Sequence, residues 1–361
     1  MITRIALTPY RLPLRRPWRS ARGEDGARDG WLVGCEDGGL TGYGDCAPMP
    51  RAGTEDRATA WRWLLGWRVR ALGQPLEAAV AALDALGERA PSARHAAECA
   101  LADIAAQGMG LPLASWLSPE LKMPDSLAVP VNAALGALGE VTPAHLSASA
   151  AEGCRVVKVK MGLGGLEAEL NRLRSLAAHL PDGGRFRLDA NGAWTRSQAS
   201  RAVAVLNALP VEALEEPLKE PDLAGLGELQ RQAEFPLALD ESLSPWLHRL
   251  GLARPGLDRL GPGRLPVRRL VLKPAVLGGL RRTLTLARAA AAAGQEVVVT
   301  SLIESAAGLW PTLHLAAAIA SAVPQGLATS AWLVRDLGEP PRVKAGCMAV
   351  PSTPGSGFRP R

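Results

Sequence analysis

From residue 128 onward the chain repeats one pattern: a short apolar run, then an Ala/Leu/Arg-rich stretch long enough for a helix. The runs are AVPVNAAL (128–135), RVVKVKM (155–161), RFRLDAN (185–191), EALEEP (212–217), PLALDES (236–242), RRLVLKP (268–274), EVVVTSL (296–302) and, more weakly, QGLATSAWL (325–333). Strands that alternate with helices predict a parallel sheet, and eight such units predict a closed (β/α)8 barrel. The middle runs end on charged residues, Lys160, Asp189, Glu215, Asp240 and Lys273, spaced 29, 26, 25 and 33 residues apart. That is about one βα unit each, so in a barrel they converge on the mouth where such enzymes keep their active sites. A charge in a buried strand is costly unless it is paired or binds a metal. One such residue is explained by a structural ion pair; five in register point to a site.

The residue types narrow the chemistry. Asp189, Glu215 and Asp240 on three consecutive strands offer hard oxygen ligands, which suit Mg²⁺ better than zinc. VVKVKMG (156–162) places Lys158 and Lys160 on one face of a strand and Val157 and Val159 on the other. Lysine occurs only six times in the chain, so positive charge is otherwise left to arginine. Unlike arginine, lysine can give up its proton near neutral pH when its surroundings lower its pKa. A second lysine beside Lys160, with a metal nearby, is expected to lower the pKa of Lys160 toward that of a useful base. Lys158 and Lys160 on one side of the carboxylates and Lys273 on the other fit proton abstraction next to a carboxylate group. None of the histidines (95, 145, 179, 248, 314) falls in a strand-end motif, and no GxSxG elbow occurs. The glycines of KMGLGGLE mimic a dinucleotide fingerprint, but Glu167 stands where G-x-G-x-x-G needs glycine.

Composition excludes other classes. The net charge is +6, yet the arginines are scattered and the ten tryptophans form no basic stacking platform. The one basic cluster, RLPLRRPWRSAR (11–22), reads as a solvated loop or as one attracting an anionic small substrate. Five cysteines without a CxxC pair argue against disulfide and zinc scaffolds. No run approaches a membrane span and no signal peptide opens the chain, which predicts a cytoplasmic protein with neither membrane nor nucleic acid as partner.

The first ~125 residues mix strands and helices and predict an α+β capping domain over 1–125. RIALTPYRLPL and GWLVGCED are expected as strands, GGLTGYGDCAPMP as a glycine-rich turn followed by a loop. EDRATAWRWLLGWRVRAL and the 76–108 stretch are expected as helices, the former with Trp63, Leu64 and Trp67 on its packing face. Residues 18–30 are expected to form a mobile loop over the barrel mouth. The barrel is assigned 126–333, and the Pro/Gly-rich 334–361 is expected to return to the cap.

The series KVK (158–160), LDANGAW (188–194), LEEP (214–217), LDES (239–242), LKP (272–274) and SLIES (301–305) resembles the motifs of the enolase superfamily, in particular its muconate-lactonizing subgroup. The resemblance covers the whole chain and implies a modified barrel joined to an α+β cap. Within the subgroup it is most similar to the o-succinylbenzoate synthases, supported by GDCAPMP (44–50), IESAAGL (303–309) and GLATSAWLVRD (326–336). These dehydrate 2-succinyl-6-hydroxy-2,4-cyclohexadiene-1-carboxylate in menaquinone or phylloquinone biosynthesis. The resemblance implies Mg²⁺, with Mn²⁺ as a substitute, on Asp189, Glu215 and Asp240. It makes Lys160 the base and then the acid that helps the hydroxyl leave, Lys273 an electrostatic stabiliser on the other face, and Lys158 the tuner of Lys160. Asn191, Glu241 and Arg187 are expected to orient ligands, and Thr300, Ser301 and Leu302, with the 18–30 loop, to contact the succinyl tail. N-succinylamino acid racemases and dipeptide epimerases share both lysines and remain alternatives, although the Asp-x-Asp pair expected of the epimerases is missing from GLATSAWL. A metal-free Schiff-base aldolase is a more distant one, since it leaves three carboxylates idle.

Overall fold

The computed structural model describes residues 1–21, 23–121, 124, 126–252, 256–261 and 263–361. The chain opens with a long antiparallel hairpin, β1 (Ile2–Ser20) and β2 (Gly23–Asp37), and β3 (Leu40–Cys46) adds to β2. Two expectations change here. The 18–30 segment is not a loop but the tip of the hairpin, apart from Arg22, which lies outside the described residues. Its charges, which suggested a solvated loop, lie opposite one another across the strands: Arg19 pairs with Glu24 at 2.7 Å and Arg11 with Asp29 at 2.9 Å. GGLTGYGDC is a turn at Gly38–Gly39 followed by a strand rather than by a loop. Its interior glycines are required by packing, because a Cβ at Gly42 or Gly44 would stand 2.0 Å from a carbonyl oxygen of the helix laid across it.

That helix is α3 (Pro91–Gly108), preceded by α1 (Arg57–Ala71) and α2 (Leu76–Ala85) and followed by the short α4 (Leu113–Leu117). Asp56 caps α1 by accepting from the Thr59 amide at 2.7 Å. Trp63, Leu64 and Trp67 are buried with Ile2, Val33 and the alanines of α3, so this stripe is packing.

The barrel follows in order: β4 (Ala128–Ala137), α5 (Pro143–Ala151), β5 (Val156–Lys160), α6 (Leu166–Ala177), β6 (Arg185–Asp189), α7 (Arg196–Leu206), β7 (Val211–Glu215), α8 (Leu223–Gln232), β8 (Leu237–Leu239), α9 (Leu243–Arg249), β9 (Arg269–Leu272), α10 (Pro274–Leu277), α11 (Leu280–Ala292), β10 (Glu296–Val299), α12 (Ala306–Ile319) and β11 (Gln325–Ala328). Neighbouring strands are parallel from β4 to β10, β11 pairs with β4, and a bridge from Thr300 to Gly326 closes the ring. Only a 3₁₀ turn, Ser330–Trp332, follows β11. The architecture is therefore α/β, a modified (β/α)8 barrel under an N-terminal α+β cap. Val157, Val159, Phe186, Leu188, Leu214 and Leu237 point outward into a core shared with Leu170, Leu173, Ala199 and Leu226 of the helices. The alternate positions point inward, which the period of two demands.

After the barrel, β12 (Val343–Lys344) and β13 (Cys347–Ala349) form a small antiparallel addition to the start of β4. The segment then meets the cap: the Ser356 amide donates to Asp103 of α3 at 2.8 Å, and Phe358 packs on Tyr43. Among the described residues no helix is long and apolar enough to cross a membrane.

Candidate active site

Register assembles the site. Lys160, Asp189 and Glu215 are direct neighbours across the parallel ladders β5–β6–β7, and Glu215 pairs with Ala238, two residues before Asp240. The carboxylate oxygens of Asp189, Glu215 and Asp240 lie within 4.8 Å of one another, and all three side chains are buried. Three converging hard oxygen donors fit a divalent cation such as Mg²⁺.

The lysines reach these carboxylates from two sides. Lys158 donates to Glu215 and stands 3.1 Å from Asp189. Lys160 lies 3.1 Å from the same Asp189 oxygen and donates to Asn191 Oδ1 at 2.7 Å. Lys273 donates to Asp240 at 2.7 Å. Burial opposes the charge on Lys158, but Asp189 and Glu215 outweigh it and hold the ammonium well above the ordinary lysine range. Lys273 is raised in the same way by Asp240 and Glu241, against its burial. Asp189 is buried too, yet Lys158 and Lys160 hold its carboxyl below the usual range. Lys158 thus engages the carboxylates themselves as well as standing beside Lys160.

Asn191 and Glu241 link the two sides: Asn191 Nδ2 donates to Glu241 at 3.2 Å, and Lys273 is 3.5 Å from the same oxygen. Arg187 is fully buried one step below Asp189. It donates to Glu212 at 2.9 and 3.2 Å and to Asn132 at 2.9 Å, with its Nε 4.0 Å from Glu215. Arg269 completes this layer by pairing with Glu212 at 2.6 Å and Glu296 at 2.7 Å. The floor of the mouth is therefore a paired ionic network, which fixes the height of the ligand layer. Thr300, Ser301 and Leu302 line the cleft.

The 18–30 segment was expected over the mouth, and its Trp18 is there, although as part of a hairpin; other residues of the site went unread in the sequence. Trp18 enters from the hairpin tip, its ring 5.4 Å from the Lys160 ammonium and edge-on to Trp332 at 4.5 Å. Asn132, Met49, Arg51, Ile303 and Thr329 share the wall. Glu216 turns away from Glu215, takes a left-handed backbone (φ 43°) and accepts the amides of Asp240 at 2.9 Å and Ser242 at 3.2 Å. Asn191 (φ 46°) and Ile303 (φ 59°) are strained alike, so backbone strain gathers at the mouth. The doublet in LEEP was a signal for Glu216, since two consecutive strand residues cannot face the same site. The glycine loop after β5 binds no outside group through its amides: Glu169 accepts from Gly162, Leu163 and Gly164 at 2.8, 3.0 and 3.1 Å.

Behind the wall, cap and barrel meet in a buried acidic pocket. Asp45 of β3 accepts the amide and hydroxyl of Ser305 at 2.7 Å each, and Tyr10 donates to it. Glu304 accepts the Leu302 amide at 2.6 Å, and burial together with Asp45 pushes its pKa up to about 7. The folded protein therefore holds a proton there that the unfolded chain has already lost. The contribution of Glu304 to stability is lost as pH rises from about 4.5 through 7, by up to about 3 kcal/mol. His95 and His314, pushed by burial down to about 3 and 4, contribute with the opposite sign up to about pH 6.5, so the difference between wild type and a variant isolates the Glu304 slope. Glu304→Gln, which keeps the acceptor, is expected to lose that slope and to be the more stable protein at pH 8. Urea melts of both proteins across the range measure it.

The chain is similar in sequence and fold to several known proteins. The o-succinylbenzoate synthase of Thermobifida fusca is 34% identical over 224 residues, covering 59% of this chain and 63% of that protein. The chain thus spans less than two thirds of the length of that curated relative. Two solved structures superpose with a TM-score of 0.86 at 24% identity. A muconate lactonizing enzyme of Pseudomonas fluorescens, with muconolactone, covers 100% of this chain and 96% of its own. A dipeptide epimerase of Enterococcus faecalis, with Mg and L-Leu-L-Tyr, covers 99% of each. Such likeness shows the fold. The family model described as enolase C-terminal domain-like matches residues 143–361, which contain all three clustered carboxylates and the lysines around them, and the chain belongs to that family of the enolase superfamily.

Proposed function

We propose that the chain is an o-succinylbenzoate synthase, a Mg²⁺-dependent dehydratase acting on 2-succinyl-6-hydroxy-2,4-cyclohexadiene-1-carboxylate. The observation that carries the reading is the placing of Lys160 at the end of β5 and of Lys273 directly after β9, with the three carboxylate-bearing strand ends between them. Asp189, Glu215 and Asp240 would hold the metal. When bound, it supplies a Lewis acid that draws charge toward the substrate carboxylate.

The chain's own groups then divide the work. In its amine form, Lys160 Nζ takes the proton α to the carboxylate and becomes the ammonium, and the electron pair of the broken C–H bond moves toward the carboxylate. As the pair returns to form the ring double bond, the C–O bond to the hydroxyl breaks. Lys160 gives its proton to the departing oxygen, so water leaves and the ring becomes aromatic. Lys273, from the opposite side, places an ammonium near the transient negative charge. Asn191 fixes Lys160 through its 2.7 Å hydrogen bond. Trp18, Leu302 and Ile303 supply apolar wall for the ring, and Thr300, Ser301 and Thr329 supply hydroxyls for the succinyl end. The 34% identity to a named synthase supports this choice.

The two-sided lysines equally suit N-succinylamino acid racemisation, in which each lysine serves one face. A dipeptide epimerase is less well served, because β11 and the turn after it bring Gly326 and Thr329 to the cleft and no carboxylate for an ammonium. The test is purified protein with Mg²⁺ and the cyclohexadiene, followed by the absorbance of the aromatic product, beside N-succinyl amino acids followed by optical rotation. Efficient dehydration is expected. Comparable or better turnover of the amino acids would displace the dehydratase reading.

A further inference from the structure

An amphipathic helix normally turns one apolar face inward and one polar face out. Helix α1 has two apolar faces. Trp63, Leu64 and Trp67 fill the cap core, while Trp61, Leu65, Val69 and Leu72 are exposed on the opposite side, Val69 at 80%. At 100° per residue these four fall within an arc of about 80°. Met1 extends the stripe. Hydrogen bonds between Ile2 and residues 73 and 74 set it beside Leu72, where it is 71% exposed.

The charges around the stripe say what covers it. Arg57 and Arg68 border it on one side and Arg62 on the other, with Arg70 further round; α1 itself carries no acidic residue. Arg57 is 3.8 Å from Asp29, but among the described residues no carboxylate pairs with Arg62, Arg68 or Arg70. A second copy docked face to face would bring two such arginine borders together, offset in part by Asp56, by Asp29 beside Arg57 and by Asp37 on the Met1 amine, and the surplus of like charges across an interface opposes association. An apolar stripe bordered by arginines whose stems can spread along the surface is instead the pattern of a helix lying in the headgroup region of an anionic bilayer.

We propose that the outer face of α1, with Met1, is a docking surface for an anionic lipid membrane. Trp61, Leu65, Val69, Leu72 and Met1 enter the acyl boundary, and Arg57, Arg62, Arg68 and Arg70 engage lipid phosphates. This departs from the sequence-based expectation of no membrane partner. It does not depend on the reaction catalysed, because none of these residues lines the active-site cleft.

The test uses the full chain and sedimentation with vesicles of phosphatidylcholine alone or with about one third phosphatidylglycerol. Binding is expected to be about tenfold or more stronger to the anionic vesicles and to weaken as salt is raised. Val69→Asp, at an exposed position, is expected to abolish binding, and Arg62→Glu with Arg68→Glu to weaken it at least as much as high salt does. Both variants should keep wild-type circular dichroism and wild-type turnover of the small substrate. No binding by the wild-type chain, or equal binding to both vesicle types, overturns the proposal. So does a wild-type dimer that Val69→Asp converts to monomer, since a second copy would then cover the face.

Discussion

Lys160→Ala is expected to lower kcat by about 10²–10⁴-fold, the usual worth of a positioned acid–base group, while leaving KM within a few-fold. The split follows from what Lys160 touches. Its ammonium is bound to Asp189 and Asn191 at the back of the cleft, whereas the hydroxyls assigned to the substrate tail come from Thr300, Ser301 and Thr329. Removing the lysine takes away the proton acceptor and leaves those tail contacts in place. Lys273→Ala separates the competing reactions. In a dehydration with acid and base on one face, Lys273 acts only through its charge, so Lys273→Arg should recover part of the activity lost in Lys273→Ala. In a racemisation Lys273 must itself exchange a proton, and an arginine, which stays protonated in proteins, cannot take that place. Solvent deuterium incorporation into recovered N-succinyl substrate reads the same distinction directly. Unchanged turnover in Lys160→Ala would remove the mechanistic claim altogether.

What could be read in the sequence, and what could not, follows the reach of the physical signals. The ligand layer was legible because each member sits on its own strand end, and strand spacing of about one βα unit is a local property. Lys158 and Lys160 sharing a face follows from the period of two alone. For Glu216 the LEEP doublet signalled a side chain facing away from the site, but its partners, the Asp240 and Ser242 amides, come from a left-handed turn that no local pattern shows. The 18–30 segment was expected at the mouth, but the contact of Trp18 with Lys160 was not readable: it comes from a hairpin some 140 residues earlier in the chain, held by packing on Trp332. The cap was misread where composition and context conflict. Gly42 and Gly44 lower the strand signal of β3, yet they are what lets α3 pack so close. Arg19, Glu24, Arg11 and Asp29 look like loop residues until the hairpin register sets them opposite one another.

Chelation is expected to abolish activity, and added Mg²⁺ to restore it, because Lys158, Lys160 and Lys273 neutralise the three carboxylates but supply no Lewis acid for the substrate. A second readout does not depend on catalysis. A ligand that binds only the folded chain stabilises it by about 2.7 kcal/mol at a hundredfold its Kd, so Mg²⁺ should raise the melting temperature of the apo protein. Asp189→Asn tests where it binds. Asp189 is the acceptor shared by Lys158 and Lys160, each 3.1 Å from the same oxygen, so the substitution removes one of the three clustered carboxylates and the partner of both ammonium groups. The Mg²⁺-dependent rise in melting temperature should disappear. The variant should also melt lower without metal, because breaking a buried pair by removing one partner costs about 3–5 kcal/mol. Glu212→Gln makes the contrast. It disturbs the arginine floor below the cluster, so it should lower stability while keeping the response to Mg²⁺. Activity that persists in chelator, with borohydride trapping of substrate on Lys160 or Lys273, would favour a Schiff-base mechanism. A metal response that survives Asp189→Asn would place the ion elsewhere on the molecule. For Lys273 the charges at the mouth oppose the first outcome, since a Schiff-base lysine must be able to lose its proton, whereas Asp240 and Glu241 hold its pKa above the ordinary lysine range.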